Sequence, residues 1–349
     1  MLKHERICTS SGSDGGRITT IIKRSVWLTI LIAFLVGCQA RVQGLKPGDT
    51  SPDTHATVQG QRTYLVHEVL KLVNKGPGQP EKQNIWVALI RDFAPYQKVL
   101  SMQVSPAHYT RIQDELGNQY GEFDFSGQPV GSTKTVQIDY QVEVNELNYD
   151  LSGCTGTLAE EFTQPEMHIE SANPQIVALA NKLSLGKGTA CQELRSFYDY
   201  IGNTLVYTDN GANWGAQAAL GPMGADCTEY SDLLIALSRA KGIPARYFEG
   251  LLYLDQGTES IAKIEHAWPD ANLPGTGWVA LDPTLGRTPV NRDTYFAHYT
   301  PDHIIVTMGV NPSVLRGGSY WTHIYWPGNS TAIQVTADWK IDLVGEKGK

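Results

Sequence analysis

The sequence predicts an α+β protein, in which an Ig-like antiparallel β-sandwich is followed by a region of helices and a β-hairpin. Three observations predict it. Val136, Ile138, Tyr140, Val142 and Val144 alternate strictly with polar residues, the period of a half-buried strand. After about residue 165 the apolar residues recur at helical spacing instead. Finally, two short apolar runs carrying His266 and Asp282 flank a Pro274-Gly275 turn, which is a hairpin pattern.

The N-terminus reads as a targeting segment. Residues 26–37 form an apolar run behind Lys23 and Arg24. As a helix this run would be about 18 Å long, too short for a hydrocarbon core of roughly 30 Å. A basic flank, a short apolar core and small residues are the features of a secretory signal. Leu35-Val36-Gly37-Cys38 resembles the lipobox of bacterial lipoproteins. That resemblance implies cleavage after residue 37 and acylation of Cys38, with enough acyl chains for stable anchoring. Gln39 as the next residue implies outer-membrane sorting in a Gram-negative cell. The basic leader is longer than such signals usually have, as an early start codon would produce. Residues 38–61 are rich in Pro, Gly, Ser, Thr and Gln without any period, as expected of a flexible tether.

The formal charge is −8, and residues 1–37 hold five basic and two acidic side chains, so the chain without them stands at −11. An acidic protein with no basic stripe is a poor partner for nucleic acid. Of the five cysteines, Cys8 leaves with the leader, Cys38 takes lipid, and Cys227 has a chemical reading given below. Cys154 and Cys191 remain. In an oxidising compartment they form either a disulfide or two buried thiols.

Within the expected sandwich, residues 62–150, strands are predicted near 63–73, 85–91, 99–104, 120–125 and 135–144, separated by Gly/Pro/Asn clusters. His67 and His108 stand alone there and read as surface or packed imidazoles. Asn173-Pro174 opens a helix ending near Gly186. Thr189 and Gln192 form a capping-box pair ahead of a stripe of Leu194, Phe197, Tyr198, Ile201 and Leu205.

Cys227 falls in the first turn of a third helical pattern, whose stripe is Tyr230, Leu233, Leu234, Leu237 and Ala240, stopped by Gly242 and Pro244. Unpaired backbone N–H groups and the positive end of the helix dipole favour a thiolate at such a position. In the hairpin, a turn centred on residue 274 would oppose His266 to Asp282 and Trp268 to Ala280, with each pair on one face. A carboxylate would then orient the imidazole, completing a nucleophile–base–orienter set.

Gly224-x-x-Cys227, Gly242-Ile243-Pro244-Ala245-Arg246, His266-Ala267-Trp268 and Trp278-Val279-Ala280-Leu281-Asp282-Pro283-Thr284 resemble the bacterial transglutaminase-like superfamily. The resemblance covers roughly residues 165–310, including a closing strand at 302–307, and residues 311–349 read as a C-terminal extension of strands. It implies a papain-like core, with Cys227 on a helix against an antiparallel sheet bearing His266 and Asp282. The roles implied are nucleophile for Cys227, base and then acid for His266, and orienter for Asp282. The backbone N–H of Cys227 would donate to an oxyanion, with Tyr207 or Trp214 as a second donor.

Such a triad attacks a peptide or carboxamide carbonyl to form a thioester, which water or an amine then resolves. Hydrolysis of a protein or peptide substrate at the cell envelope is the expected reaction, with transamidation the alternative. No calcium loop or close metal-spaced cluster is visible in the sequence, so no cofactor is expected. A zinc site on Cys227, His266 and Asp282 lacks the usual paired spacing, and His298 and His303 do not share a helical face. A binding module retaining the fold is the remaining alternative.

Overall fold

The structure is a computed structural model, and it describes residues 56–208, 214–253, 264–327 and 331–348. The leader and the lipobox cysteine Cys38 lie outside the described residues. No helix among the described residues is long and apolar enough to cross a membrane.

Six strands come first: β1 (Ala56–Pro77), β2 (Pro80–Leu89), β3 (Gln97–Ser105), β4 (Thr110–Gln113), β5 (Gln119–Asp124) and β6 (Thr133–Tyr149). Four helices follow: α1 (Pro174–Leu183), α2 (Ala190–Thr204), α3 (Ala216–Ala219) and α4 (Cys227–Ala240). The chain ends in β7 (Ala245–Leu252), β8 (Glu265–Leu273), β9 (Gly277–Ala280), β10 (His298–Tyr299), β11 (His303–Met308), β12 (Trp321–Pro327) and β13 (Thr331–Lys347).

Two antiparallel sheets make the sandwich. One runs β10-β6-β1-β13 with β3 also on β6, and the other runs β12-β2-β5-β4. The alternation read in β6 is observed, with Val136, Ile138, Val142 and Val144 fully buried and Tyr140 nearly so. Burial of each such side chain stabilises by about 1.5–3 kcal/mol. Two expected boundaries change. β1 begins at Ala56, so residues 56–61 of the expected tether are strand, paired through Ala56 and Thr57 with Tyr149 and Asn148. Residues 311–349 are no separate extension, because β12 pairs with β2 and β13 pairs with β1 along nearly its whole length. The physical reason is that β1 and β2 present backbone edges that only these late strands satisfy.

The third sheet, β11-β7-β8-β9, packs against α4. Its outer edge, β11, meets two side-chain amides from the sandwich. Gln97 receives the Ile305 N–H at 2.7 Å and donates to the Ile305 carbonyl at 2.8 Å. Asn118 treats Met308 the same way, with both bonds at 2.8 Å. Both amides are buried. A second link is ionic: Arg246 of β7 makes a two-pronged contact with Asp270 of β8, and Tyr96 donates to the same carboxylate at 3.1 Å. The Arg246 guanidinium also lies 3.5 Å from the Trp278 ring centre.

The helices start where their caps place them. Asn173 accepts from the Gln175 N–H ahead of Pro174, and α1 stops at Leu183, three residues short of Gly186. Thr189 caps α2 through the Gln192 N–H, but the Gln192 side chain accepts from Gly188 and not from Thr189. The expected capping box is therefore only half formed, displaced by one residue at its reciprocal bond. The stripe Leu194, Phe197, Tyr198 and Ile201 is buried, while Leu205 caps the helix and is half-buried.

Cys154 and Cys191 are joined in a disulfide, which resolves the choice left open by the sequence. It ties the start of α2 to the 153–155 segment. That segment supports the β8–β9 turn: a Cβ on Gly275 would lie 2.5 Å from the Gly153 carbonyl oxygen, and Gly275 has φ +72°. Only glycine meets both demands. Cys191→Ser is expected to lower unfolding stability by roughly 3–4 kcal/mol, the loop-entropy value for a loop of this length. Urea unfolding of the variant beside wild type checks this, and a loss below about 1 kcal/mol would show that the bridge is dispensable.

Candidate active site

The N-terminus of α4 is built by a reciprocal cap. Asp226 accepts from the Thr228 N–H at 2.9 Å, and Glu229 accepts from the Asp226 N–H at 2.9 Å. Together they fix the entry angle of the helix and hold Cys227 at its first position. The Asp226-x-x-Glu229 signal is present in the sequence and was missed beside the cysteine. Upstream, Tyr207 bridges Ala225, with Thr208 N–H to Ala225 O at 2.9 Å and Ala225 N–H to Val206 O at 3.1 Å. Gly224, with φ +80°, lets these segments meet, since a Cβ there would fall 2.5 Å from Thr208 Oγ1.

Cys227 is half-buried and outside the disulfide. Its first turn lies directly on β8: Ser231 Oγ is 2.7 Å from the Cys227 carbonyl oxygen and 3.2 Å from that of Ala267. His266 precedes Ala267. It is 2% exposed, and its Nε2 lies 2.8 Å from Asp282 Oδ2. Its other ring nitrogen, Nδ1, is buried and has no hydrogen-bond partner. An ionised carboxylate on Nε2 fixes the proton there, which leaves Nδ1 with an open lone pair.

The two residues do not meet as the directly opposed pair the sequence suggested. The observed register sets Asp270 opposite Ala280 and Asn272 opposite Trp278, two positions from the expected pairing of Trp268 with Ala280. The turn is centred one residue later, closed by Thr276 N–H to Leu273 O at 3.1 Å. A slip of two preserves the face of every side chain, whereas a slip of one would have reversed it. β9 ends at Ala280, and the chain then turns so that the Asp282 N–H bonds the Tyr295 carbonyl at 2.9 Å. The carboxylate reaches His266 from this turn.

Asp282 is held by four donors. Besides His266, Oδ2 faces His303 Nε2 at 3.1 Å, and Oδ1 accepts the N–H groups of Thr284 and Leu285 at 2.8 and 2.9 Å. Burial alone would raise its pKa, but the charge and hydrogen bonds of His266 and His303 outweigh burial and keep it well below the ordinary 3.8. His303 was not read as a site residue. It is the first residue of β11, its Nδ1 faces Asp302 Oδ1 at 2.9 Å, and it is 3% exposed.

One ligating atom from each of His266, Asp282 and His303 lies within 4.8 Å of the others. Among the described residues this is the convergent set of metal-binding types, and Cys227 is not in it.

The two candidate oxyanion donors are placed differently. The Tyr207 ring lies against Arg287, 4.8 Å from its guanidinium, and near Tyr230. Trp214 stands edge-on to His168, and its buried Nε1 has no hydrogen-bond partner.

Residues 177–283 match the family described as the transglutaminase-like superfamily, a span that contains Cys227, His266 and Asp282. That segment, less than a third of the chain, is transglutaminase-like. YebA of Bacillus subtilis strain 168 is 25% identical over 150 residues, which is 37% of this chain and 20% of YebA. The match thus spans about a fifth of that curated relative. Among solved structures, a candidate cysteine protease from Cytophaga hutchinsonii aligns over 83% of this chain and 93% of its own, with a TM-score of 0.60 and 16% identity. The likeness is one of fold, and it extends beyond the transglutaminase-like domain. The periplasmic domain of TgpA from Pseudomonas aeruginosa aligns over 69% of this chain and 94% of its own at a TM-score of 0.33 and 17% identity.

Asp282→Asn is expected to cost about 3–5 kcal/mol at neutral pH, because it leaves buried donors facing a neutral group. The depressed pKa gives the pH sense. The Asp282 contribution is present above the unfolded value of 3.8 and is lost as pH falls through the lower folded value. Urea unfolding from pH 7 to pH 3 should therefore show the gap between wild type and variant narrowing toward acid.

Proposed function

We propose that this protein is a thiol hydrolase of peptide or carboxamide bonds, with Cys227 as nucleophile, His266 as base and then acid, and Asp282 as orienter. The observation that carries the reading is the state of His266. One ring nitrogen is fixed by Asp282 and the other is buried without a partner, beside a helix start that bears a thiol.

His266 Nδ1 takes the Cys227 thiol proton, and the thiolate, stabilised by the helix N-terminus, attacks the carbonyl carbon. The negative charge on the carbonyl oxygen is met by the Cys227 backbone N–H, with Tyr207 or Trp214 as the second donor. The C–N bond then breaks, and the amine leaves with the proton held on His266. A thioester remains. Water, deprotonated by His266, attacks it and releases the acid and the thiol.

Transamidation would require walls that keep water from the thioester. The two tryptophans nearest the motif do not serve as such walls. Trp268 is 1% exposed and packs against His266, Phe248 and His303. Arg246 lies over the Trp278 ring, and Phe162 meets that ring edge-on. Their engagement favours water as the acceptor.

Incubating wild type and Cys227→Ala with a glutamine-containing casein and a labelled primary amine separates the outcomes. New peptide termini or released ammonia, dependent on Cys227, are expected. Cys227-dependent amine incorporation without new termini would establish transamidation, and neither signal would favour a binding module.

The leader and Leu35-Val36-Gly37-Cys38 support an acylated protein held at the cell envelope. Cys38→Ser is expected to move the protein from the membrane to the soluble fraction or to block its processing. An unchanged distribution would remove the anchor from the proposal.

A further inference from the structure

His303 is a buried imidazole with a carboxylate on each ring nitrogen, Asp302 Oδ1 at 2.9 Å from Nδ1 and Asp282 Oδ2 at 3.1 Å from Nε2. A neutral imidazole has one N–H and can donate to only one of them, leaving a lone pair facing the other oxygen. Donating to both requires the imidazolium. We propose that His303 is a charged positioning residue of this site at neutral pH, an imidazolium that donates to Asp302 and Asp282 at once, fixes the Asp282 carboxylate and offsets the charge that this carboxylate presents to His266. The proposal rests on the triad reading given above.

The surroundings agree with a charge here. From its own segment His303 faces Asp302, Thr300 Oγ1 and the Tyr299 ring, from the loop after β9 it faces Asp282 and the Tyr295 ring, and from β8 it faces His266 and Trp268. Asp302 is in turn near Tyr64 of β1, and Thr300 also donates to the Asp302 carboxylate. Burial opposes the positive charge, but the Asp302 charge and the hydrogen bonds to Asp282 and Asp302 overcome it and lift the pKa to about 9. Charges therefore alternate along the line Asp302, His303, Asp282, which ends on Nε2 of His266. An isolated buried aspartate would pull the proton of His266 in tightly, and a base that cannot release its proton cannot serve as the acid for the leaving amine. A cation whose ring centre lies 5.9 Å from that of His266 weakens this pull.

The full chain labelled with ¹⁵N-histidine tests the charge directly. At pH 7 the His303 ring, assigned through its contact with Trp268 or by loss of its signal in His303→Gln, should show both nitrogens protonated, titrating about two units above an ordinary histidine. A singly protonated His303 at pH 7 would overturn the proposal, and with the assignment through Trp268 this measurement needs no variant. The second arm follows Cys227 alkylation by iodoacetamide against pH in wild type and His303→Gln. Removal of the charge should move the His266 limb of the profile upward by about one unit. A uniformly slower reaction with an unshifted profile would reduce His303 to packing and also overturn the proposal. Failure of the triad reading looks different: wild-type Cys227 would alkylate like a free thiol near pH 8.5, while the imidazole signal still reports whether His303 is charged.

Discussion

The sheet β11-β7-β8-β9 has an open edge, and two buried carboxamides close it. Gln97 and Asn118 give β11 the hydrogen bonds that a neighbouring strand would otherwise supply. Unpaired backbone groups at that depth would each cost on the order of 1–3 kcal/mol. The closure fixes the height of β11 against β7, and β11 begins with His303. His303 in turn holds Asp282, Asp282 holds His266, and β8 places His266 beside the first turn of α4. The sandwich is thus part of the scaffold that sets the site, and the chain of contacts runs through buried polar groups as far as His266, whose Nδ1 is left open.

A network of that kind fixes one arrangement more sharply than apolar packing does, because each partial disruption strands a buried donor or acceptor. Arg246 and Asp270 add a second such constraint on the same sheet, clamped between Tyr96 and the Trp278 ring. The helical side is organised differently. α4 is enclosed by α1, α2, α3, β7 and β8, and its position comes from the apolar stripe and the Asp226–Glu229 cap.

Much of this was legible in the sequence where the signal is local. The alternation in β6, the stripe of α2, and Cys227 at a helix start each follow from a period or a cap within one turn or one strand. The parity of the β8–β9 pairing was legible too, although its register, and the turn beyond Ala280 from which Asp282 reaches His266, were not. Parity depends only on counting by twos, whereas register depends on where the Leu273–Thr276 turn closes, and that in turn depends on the packing of Gly275 against Gly153. His303 escaped because its partners are distant in the chain: a histidine opening a strand carries no pattern, and its meaning comes from Asp282, 21 residues away. The same holds for the late strands. Ile333, Val335, Ala337, Trp339 and Ile341 alternate as plainly as the residues of β6, but nothing local says that their neighbour is β1.

That pairing has a consequence for the order in which the molecule can be completed. Lys71 lies across from Thr336, and Gln61 from Lys347, so the earliest described strand is flanked on one side by the latest. Between them lie the remaining sandwich strands, all four helices and the entire sheet β11-β7-β8-β9. While the chain is made or threaded from its N-terminus, β1 pairs with β6 and keeps its other edge open until β13 arrives. Contacts of such sequence separation are slow to form and leave a strand edge exposed to strangers in the interval. The protein therefore spends its early life as an incomplete sandwich with a ready-made docking edge, and the final seventeen residues of β13 close that edge.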